Sequence, residues 1–392
     1  MPTRYGWLAL AAAAVMVLVG RAFGMIELYV VAAALGLLVV LALVYVRTAR
    51  LQLRINRTVT PTRVHAGDAA RVELGAANRG RRRTPVLRLR DPVAGTRGAL
   101  LNVAPLRSGD AARAAYRLPT ARRGVIAIGP LQVEVTDPFG LASRRAVGAP
   151  VLELTVFPHV DRVAAPRGGG DRNPAGAALN ANALGRQGDE FFALRDYVVG
   201  DDLRRVHWPS TARHDDLKMR QDEMPWQDRT TVVVDVRRAA HTAESFERAM
   251  SAAASVITAC TRARHLLRLL ASDGTDSGTS SGVPHTEALM EHLARAEPAG
   301  RGSLRQALDS LVRSPHGGLL VSVLGRATSA ELDGLARLRG TFRSVVVVVT
   351  EGPLPSRSAL HAALTLVDAT ADGGFAPAWG AVVASERAEV PA

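Results

Sequence analysis

The sequence is poor in cysteine, lysine and aromatic residues. Among 392 residues there is one cysteine, Cys260, so the chain can form no internal disulfide and nothing indicates an oxidising compartment. Of the 49 lysine and arginine residues, Lys218 is the single lysine and the other 48 are arginine. This bias is typical of a GC-rich genome. Because arginine is so common here, a single Arg is weak grounds for inferring bidentate recognition of an anion.

Positive charge is concentrated in the first half of the chain. Residues 1–50 hold four Arg and one Glu (+3), residues 51–157 hold 18 Arg and seven acids (+11), and residues 158–392 hold 27 basic and 28 acidic residues (−1). Tyr116, Phe139 and Phe157 are the aromatic residues of 51–157, too few for a base-stacking platform, so nucleic acid is disfavoured as a partner. We interpret most of these arginines as a solvated surface and expect inner-leaflet lipid contact for the first few.

Two apolar runs open the chain and predict a transmembrane helical hairpin over 1–50, with helices near 6–24 and 28–46. An alternative is that the first run is a cleaved signal peptide. The turn between the runs holds Arg21 and Glu27, whereas the second run is followed by four basic residues, and the positive-inside rule then predicts a two-pass cell-membrane protein with cytoplasmic soluble domains. The four basic residues are Arg47, Arg50, Arg54 and Arg57.

Residues 51–157 contain short β-prone runs of period two, separated by Gly, Pro, Asn and Asp. This pattern predicts a basic antiparallel β-sandwich, with a turn at "DPFG" (137–140). Residues 158–185 are rich in Gly, Pro and Ala and are predicted to be a linker. The Gly-Gly-Gly of this stretch is not a phosphate-binding loop, because no Lys-Ser/Thr pair follows it.

Residues 186–392 combine an unusual polar segment with an alternating strand–helix pattern. "TTVVVDV" (230–236) is a continuous apolar run, as a buried parallel strand requires, and a long helix is predicted over 243–264 with Cys260 on its buried face. Three more strand-like runs alternate with helical stretches after it. The fold class predicted for this part is a doubly wound α/β domain.

The segment 186–226 is dense in aromatics, arginines and aspartates. One hypothesis is a hydrolytic enzymatic centre in the cluster 195–214, with or without a metal, but the chain contains no Gly-x-Ser-x-Gly elbow and the spacing fits no known metal-ligand set. We favour a clasp in which arginines and aspartates neutralise each other and a partner surface is presented. The residues of this clasp or partner motif are Gly188, Asp189, Glu190, Phe191, Leu194, Arg195, Tyr197, Gly200, Asp201, Asp202, Arg204, His207, Trp208 and Arg213.

Four features together resemble the bacterial family called domain of unknown function 58. They are the hairpin, "RRGVIAIGPLQVEVTDPFGL" (122–141), "GDEFFALRDYVVGDDLRRVHWPSTAR" (188–213) and the α/β domain. The resemblance implies a membrane-anchored protein whose last domain is similar to a von Willebrand factor A domain. It also implies a MoxR-type AAA+ ATPase as partner, and a transglutaminase-like membrane protein as a further one. It implies no particular reaction.

Metal-binding von Willebrand A domains use Asp-x-Ser-x-Ser after the first strand, and this chain departs from that pattern. Asp235 is present, but Arg237 and Ala239 stand where the hydroxyls would be. The sequence therefore predicts no metal, no cofactor and no catalytic residue. The expected function is a non-enzymatic adaptor that works with the ATPase in protein or complex maturation or in the cell envelope. The alternatives are the hydrolytic enzyme and an electrostatic binder of anionic lipid or nucleic acid through the β domain.

Overall fold

The structure is a computed structural model that divides into two compact units, Met1–Phe157 and Pro158–Ala392. It describes residues 1–49, 52–166, 190–196, 218–223, 228–313, 317–355, 361–362, 364–370 and 374–388, and for 190–196, 218–223 and 385–388 it describes the backbone alone.

Two long apolar helices open the first unit, as the sequence predicts. They are α1 (Arg4–Phe23) and α2 (Ile26–Thr48), each within two residues of its expected bounds. The Thr3 hydroxyl caps α1 by accepting from the Gly6 N–H at 3.2 Å, and Gly24 ends α1 in the left-handed region at φ 69°. Both helices are long and apolar enough to cross a membrane, and most of their large apolar side chains are exposed.

The rest of the first unit is built from short strands around one apolar core. Three sheets contribute, with strand orders β1-β3-β6, β2-β10-β7 and β5-β4-β8-β9. The strands are β1 (Leu53–Thr60), β2 (Arg63–His65), β3 (Arg71–Asn78), β4 (Leu87–Asp91), β5 (Ala99–Val103), β6 (Ala111–Arg117), β7 (Gly124–Ile128), β8 (Leu131–Thr136), β9 (Ser143–Ala149) and β10 (Leu152–Phe157). The antiparallel prediction is confirmed with one exception, because β2 pairs with β10 in parallel. The predicted turn is also present, since the Gly140 N–H donates to the Asp137 carbonyl at 3.0 Å.

One arginine of the basic region is buried, against the expectation of a solvated face. Arg57 on β1 donates to Asp91 Oδ1 at 2.7 Å, and both side chains are 1% exposed. Tyr116 on β6 donates its hydroxyl to Asp91 Oδ2 at 2.7 Å. Burial, together with the hydrogen bond to Asp91, raises the pKa of Tyr116 above its usual value. The Asp91 carboxylate therefore joins Arg57 and Tyr116 through hydrogen bonds inside the β domain.

The second unit contains a five-stranded parallel sheet flanked by helices, which confirms the α/β prediction. The strand order is β14-β13-β15-β16-β17, and β13 to β16 are largely apolar and buried because they are covered on both faces, whereas the edge strand β17 is mostly half-buried. The strands are β13 (Arg229–Val234), β14 (Leu266–Ala271), β15 (Leu319–Leu324), β16 (Ser344–Val349) and β17 (Thr365–Asp368). The helices are α3 (Ala243–Arg262), α4 (Val283–Arg295), α5 (Leu304–Arg313), α6 (Ser329–Arg337) and α7 (Phe375–Ala388).

Local sequence explains where two of these helices begin. Thr242 and Thr328 cap α3 and α6 with complete capping boxes, closed by Ser245 and Glu331 at the third helical position. Cys260 lies on the buried face of α3, as predicted, and burial raises the pKa of its thiol to about 12. A thiol with such a pKa is not a nucleophile at neutral pH.

Candidate functional site

The segment 186–226, which we call the polar signature segment, contains two strands that the structure describes. β11 (Glu190–Asp196) and β12 (Lys218–Glu223) form an antiparallel pair in which Leu194 lies opposite Arg220. β11 carries Glu190, Phe191, Leu194 and Arg195 of the predicted motif. The remaining residues of the predicted motif lie outside the described residues, namely Gly188, Asp189, Tyr197, Gly200, Asp201, Asp202, Arg204, His207, Trp208 and Arg213. The clasp and the alternative catalytic cluster therefore remain predictions.

The described polar site with the most side-chain contacts lies at the carboxyl end of the parallel sheet. From β13 the chain goes to β14 on one side and later to β15 on the other, so the strand order reverses between β13 and β15. In open α/β sheets, ligands bind in the crevice at this reversal, outside the carboxyl ends of the strands. Asp235 follows β13 directly, and Gly325 and Arg326 follow β15. We call this region the switch-point crevice.

Asp235 is fully buried in the switch-point crevice and its carboxylate is saturated by donors. Its Oδ1 accepts from the Arg237 backbone N–H at 3.0 Å, from Arg237 Nε at 2.9 Å and from the Ser272 hydroxyl at 3.1 Å. Its Oδ2 accepts from Arg237 Nη2 at 2.7 Å. The guanidinium thus binds the carboxylate through two parallel charge-assisted hydrogen bonds, from Nε to Oδ1 and from Nη2 to Oδ2. This bidentate geometry is among the strongest pairings of a carboxylate.

Arg237 also joins Asp235 to a second element. Its Nη2 donates to Glu331 Oε1 at 2.6 Å, and Glu331 belongs to the first turn of α6. Hydrogen bonds from the guanidinium to Asp235, and further to Glu331, hold the pKa of Arg237 above its usual value although burial opposes this. One cation therefore serves two carboxylates, and it lies beside the aspartate that would ligate a metal in the von Willebrand A pattern.

The backbone of residues 238–241 packs against the end of β15 in the switch-point crevice. The Arg326 N–H donates to the Ala240 carbonyl at 2.9 Å, and a Cβ at Gly325 would collide with that same carbonyl oxygen. His241 Nε2 lies 2.8 Å from the Asp235 carbonyl oxygen, and its ring meets Phe246 edge-on at a centroid distance of 5.3 Å. Burial lowers the pKa of His241, which favours the neutral imidazole. The loop is thus packed and hydrogen-bonded over the place where a ligand would enter.

A third carboxylate, Glu351, lies on the other side of the loop 238–241. It accepts from the Ser245 hydroxyl, from the Thr242 backbone N–H at 2.6 Å and from Arg326 Nη2, through Oε1, at 2.7 Å. These donors, with Ser245 the strongest, lower the pKa of Glu351 to about 2. Glu351 follows β16, so the network links the ends of three neighbouring strands.

The side chains of the switch-point crevice do not provide suitable ligands for a divalent cation. Asp235 offers its oxygens to Arg237 rather than to open space, and Ala239 supplies no hydroxyl. Within the part of the chain that the structure describes, no group of three or more His, Cys, Asp or Glu could hold a metal ion. A charged guanidinium next to the aspartate would also repel a metal.

Sequence reasoning identified Asp235 and Arg237 but missed their partners Ser272 and Glu331, and it also missed the neighbouring carboxylate Glu351. Ser272 follows β14, Glu331 begins α6 and Glu351 follows β16, so the three are far apart in sequence. The Thr-x-x-Glu pattern at 328–331 could have flagged Glu331 as a capping residue, but only the parallel strand order brings it to Arg237.

The β domain offers one groove of about 230 Å³. Its lining includes Leu74, Leu89, Leu101 and Leu106, together with the polar residues Asn102 and Arg113. No catalytic set converges there among the described lining residues, so the groove indicates no reaction.

Comparison with known proteins places the second unit in a family. No curated protein matches the chain. Among solved structures, the chain is similar to the CARDB domain of a Pyrococcus furiosus protein in complex with di-metal ions, at 16% identity and a TM-score of 0.22, covering 28% of this chain and 94% of that one.

Two other similarities are of the same order. A β-glucosidase from Erythrobacter marinus is 17% identical with a TM-score of 0.17, covering 24% of this chain and 15% of that one. An ApaA protein from Bordetella pertussis is 11% identical with a TM-score of 0.19, covering 27% and 94%. At such identities and TM-scores these similarities support no inference of fold or function.

The family model described as "Protein of unknown function DUF58" matches residues 193–369. This range begins in β11 and runs through β17, so it contains the switch-point crevice and most of the polar signature segment. The family resemblance predicted from the sequence is confirmed over residues 193–369, which match the DUF58 family.

Proposed function

We propose that this chain is a membrane-anchored, non-enzymatic adaptor. The two apolar helices support the anchor, because their large side chains are exposed rather than packed into a core as in a soluble protein. Residues 1–3 also pair with 141–143, which gives the start of α1 a structural role that a cleaved signal peptide would not have. The positive-inside rule supports a cytoplasmic position for both soluble units.

The closed switch-point crevice is the observation that carries the non-enzymatic part of the proposal. An α/β enzyme needs open space and a free reactive group outside the carboxyl ends of its strands. Here Arg237 bridges Asp235 and Glu331, and the loop 238–241 packs against Gly325. The arrangement stabilises the domain and leaves its surfaces for a partner.

We propose a MoxR-type AAA+ ATPase as that partner, with the segment 186–226 as the contact surface. The support is the family resemblance together with the parallel α/β sheet, since the resemblance implies a von Willebrand A-like last domain. A transglutaminase-like membrane protein is the second proposed partner. The ATPase would supply the energy for protein or complex maturation, and this chain would position it at the membrane.

The test measures nucleotide-dependent association of the full chain with the ATPase. The chain is reconstituted in lipid nanodiscs and the MoxR-type ATPase of the same organism is titrated with ATP, ADP or no nucleotide. We expect association that one nucleotide strengthens and that Arg204→Glu weakens at least roughly tenfold, since a charge reversal in an interface costs several kcal/mol. Arg313→Glu is the matched control, because Arg313 is exposed at the end of α5 and undergoes the same charge change.

Absence of association in every nucleotide state contradicts the adaptor proposal. A hydrolytic activity of the purified chain that Asp201→Asn or His207→Ala abolishes would instead support the enzyme alternative. The same preparation answers both questions, because it retains the whole segment 186–226.

A further inference from the structure

The turn 137–140 is rigid and is attached to the beginning of α1. The Asp137 carboxylate accepts from the Phe139 N–H at 2.9 Å and from the Ala142 N–H at 2.5 Å, which fixes the turn from within. The Thr3 hydroxyl donates to the Gly140 carbonyl at 2.5 Å, and the Thr3 N–H donates to the Leu141 carbonyl at 2.8 Å. The turn therefore lies at the level of the first residues of the first apolar helix.

Close packing places the same turn against α2. Leu141 and Ala142 share a buried apolar cluster with Val39, Ala42 and Val46. These three α2 residues precede the last residue of the helix, Thr48, by two to nine positions, or about 3 to 14 Å at 1.5 Å per residue. The β domain thus reaches alongside the last turns of α2 and does not stop at its end.

Aromatic side chains surround this end of the hairpin. Tyr5 and Trp7 in α1 and Tyr45 in α2 are exposed, and the Arg4 guanidinium lies 4.8 Å above the Tyr5 ring. Tyr and Trp are enriched at the interface between membrane and water, where an apolar ring can meet lipid and a polar atom can meet water. Phe139, at the tip of the turn, is 68% exposed and lies at the same level along the helices.

We infer that Phe139 inserts into the boundary between the lipid headgroups and acyl chains, and so attaches the β domain to the membrane at a third point. This rests on the proposed anchoring by α1 and α2. The occupant is lipid, because the turn is continuous with the aromatic end of the hairpin. Transfer of an exposed phenylalanine from water into this boundary is favourable, and the rigid turn limits the entropy lost on insertion. Insertion would also fix the orientation of the β domain relative to the bilayer.

The test measures the depth of position 139 by spin labelling. The full chain is reconstituted into vesicles of phosphatidylcholine and phosphatidylglycerol, and Phe139→Cys is labelled with a nitroxide. Cys260 is buried, so the unsubstituted chain serves as the control for background labelling. Accessibility of the nitroxide to oxygen, which concentrates in hydrocarbon, is compared with accessibility to a water-soluble nickel chelate.

Two positions with similar exposure calibrate the depth scale. Leu37→Cys lies in the middle of α2 and reports the bilayer interior. Leu100→Cys lies on β5, which is one edge strand of its sheet, while β9 is the other. Three strand spacings, about 14 Å, separate β5 from β9, the strand that follows the turn 137–140. We expect the ratio of oxygen to nickel accessibility at position 139 to be roughly threefold or more above that at 100, and below that at 37.

Every other outcome overturns the inference. A ratio at 139 equal to that at 100, with a high ratio at 37, leaves the helices anchored and removes the third attachment point. A ratio at 37 as low as that at 100 removes the anchoring itself. A nitroxide at 139 that neither reagent reaches is covered by protein and not by lipid.

Discussion

Removal of the Arg237 guanidinium should destabilise the α/β domain at the end of β13. In Arg237→Ala, the fully buried Asp235 carboxylate still accepts from the Ser272 hydroxyl and from the backbone N–H of residue 237, but it loses its counter-ion. Removing one partner of a buried ion pair costs about 3 to 5 kcal/mol. Because the Arg237 side chain is 26% exposed and water can enter the vacated space, we expect the lower end, about 3 kcal/mol.

Hydrogen exchange of the full chain measures this loss locally and does not require two-state unfolding of a chain with two units. A destabilisation of about 3 kcal/mol corresponds to roughly a hundredfold loss of protection, at 1.4 kcal/mol per factor of ten. The loss should appear in the amides of β13 and at the start of α6, which Arg237 links through Glu331. Arg313→Ala is the control and should change protection by less than about 0.5 kcal/mol, because it is an exposed surface substitution.

A charge-neutral double variant identifies the cause. Asp235→Asn combined with Arg237→Ala should be less destabilised than Arg237→Ala alone, because no buried charge is left without a partner. If Arg237→Ala loses no more protection than Arg313→Ala, the guanidinium does not hold the switch-point crevice together and the reasoning is wrong.

Three further predictions follow from buried or paired groups. The pKa of Glu351 is lowered from 4.5 to about 2, so its contribution to stability should be present above pH 4.5 and lost as the pH falls towards 2. Thermal melts of wild type and Glu351→Gln should therefore differ by about 1 kcal/mol above pH 4.5, after solvent screening, and should not differ near pH 2. Asp91→Ala should cost about 3 to 5 kcal/mol in denaturant unfolding of the β domain by leaving Arg57 buried and unpaired, whereas Glu134→Ala, whose partner Arg145 is exposed, should cost at most about 1 kcal/mol. Cys260 should react with iodoacetamide at pH 8 roughly a hundredfold more slowly in the folded than in the unfolded chain, because its pKa is about 12 and it is buried.

Periodic patterns in the sequence carried most of the architecture. The apolar runs predicted α1, α2 and four of the five parallel strands, β13 to β16, since each of these elements has a uniform environment along its length. Two strands of the β domain have weak signals in the sequence: β9 has exposed residues along most of its length, and β2 is three residues long. Their pairing depends on the partner strand more than on their own composition.

The switch-point crevice could be predicted only in part. Asp235 and Arg237 are two residues apart at the end of a strand, so their contact can be predicted from the sequence. The contacts from Arg237 to Glu331 and from Ser245 to Glu351 span 94 and 106 residues and exist because the strand order brings loops from distant parts of the chain together. Pattern alone does not contain that order.

Manganese binding tests the central claim, that the Arg237 guanidinium occupies the Asp235 carboxylate and so prevents a metal from binding at Asp235. Isothermal calorimetry of the wild-type chain with Mn²⁺ should show no stoichiometric binding, whereas Arg237→Ser combined with Ala239→Ser, which replaces the guanidinium by the hydroxyls of the von Willebrand A pattern, should bind about one ion. One-to-one binding of Mn²⁺ by the wild-type chain, abolished by Asp235→Ala, would contradict the account.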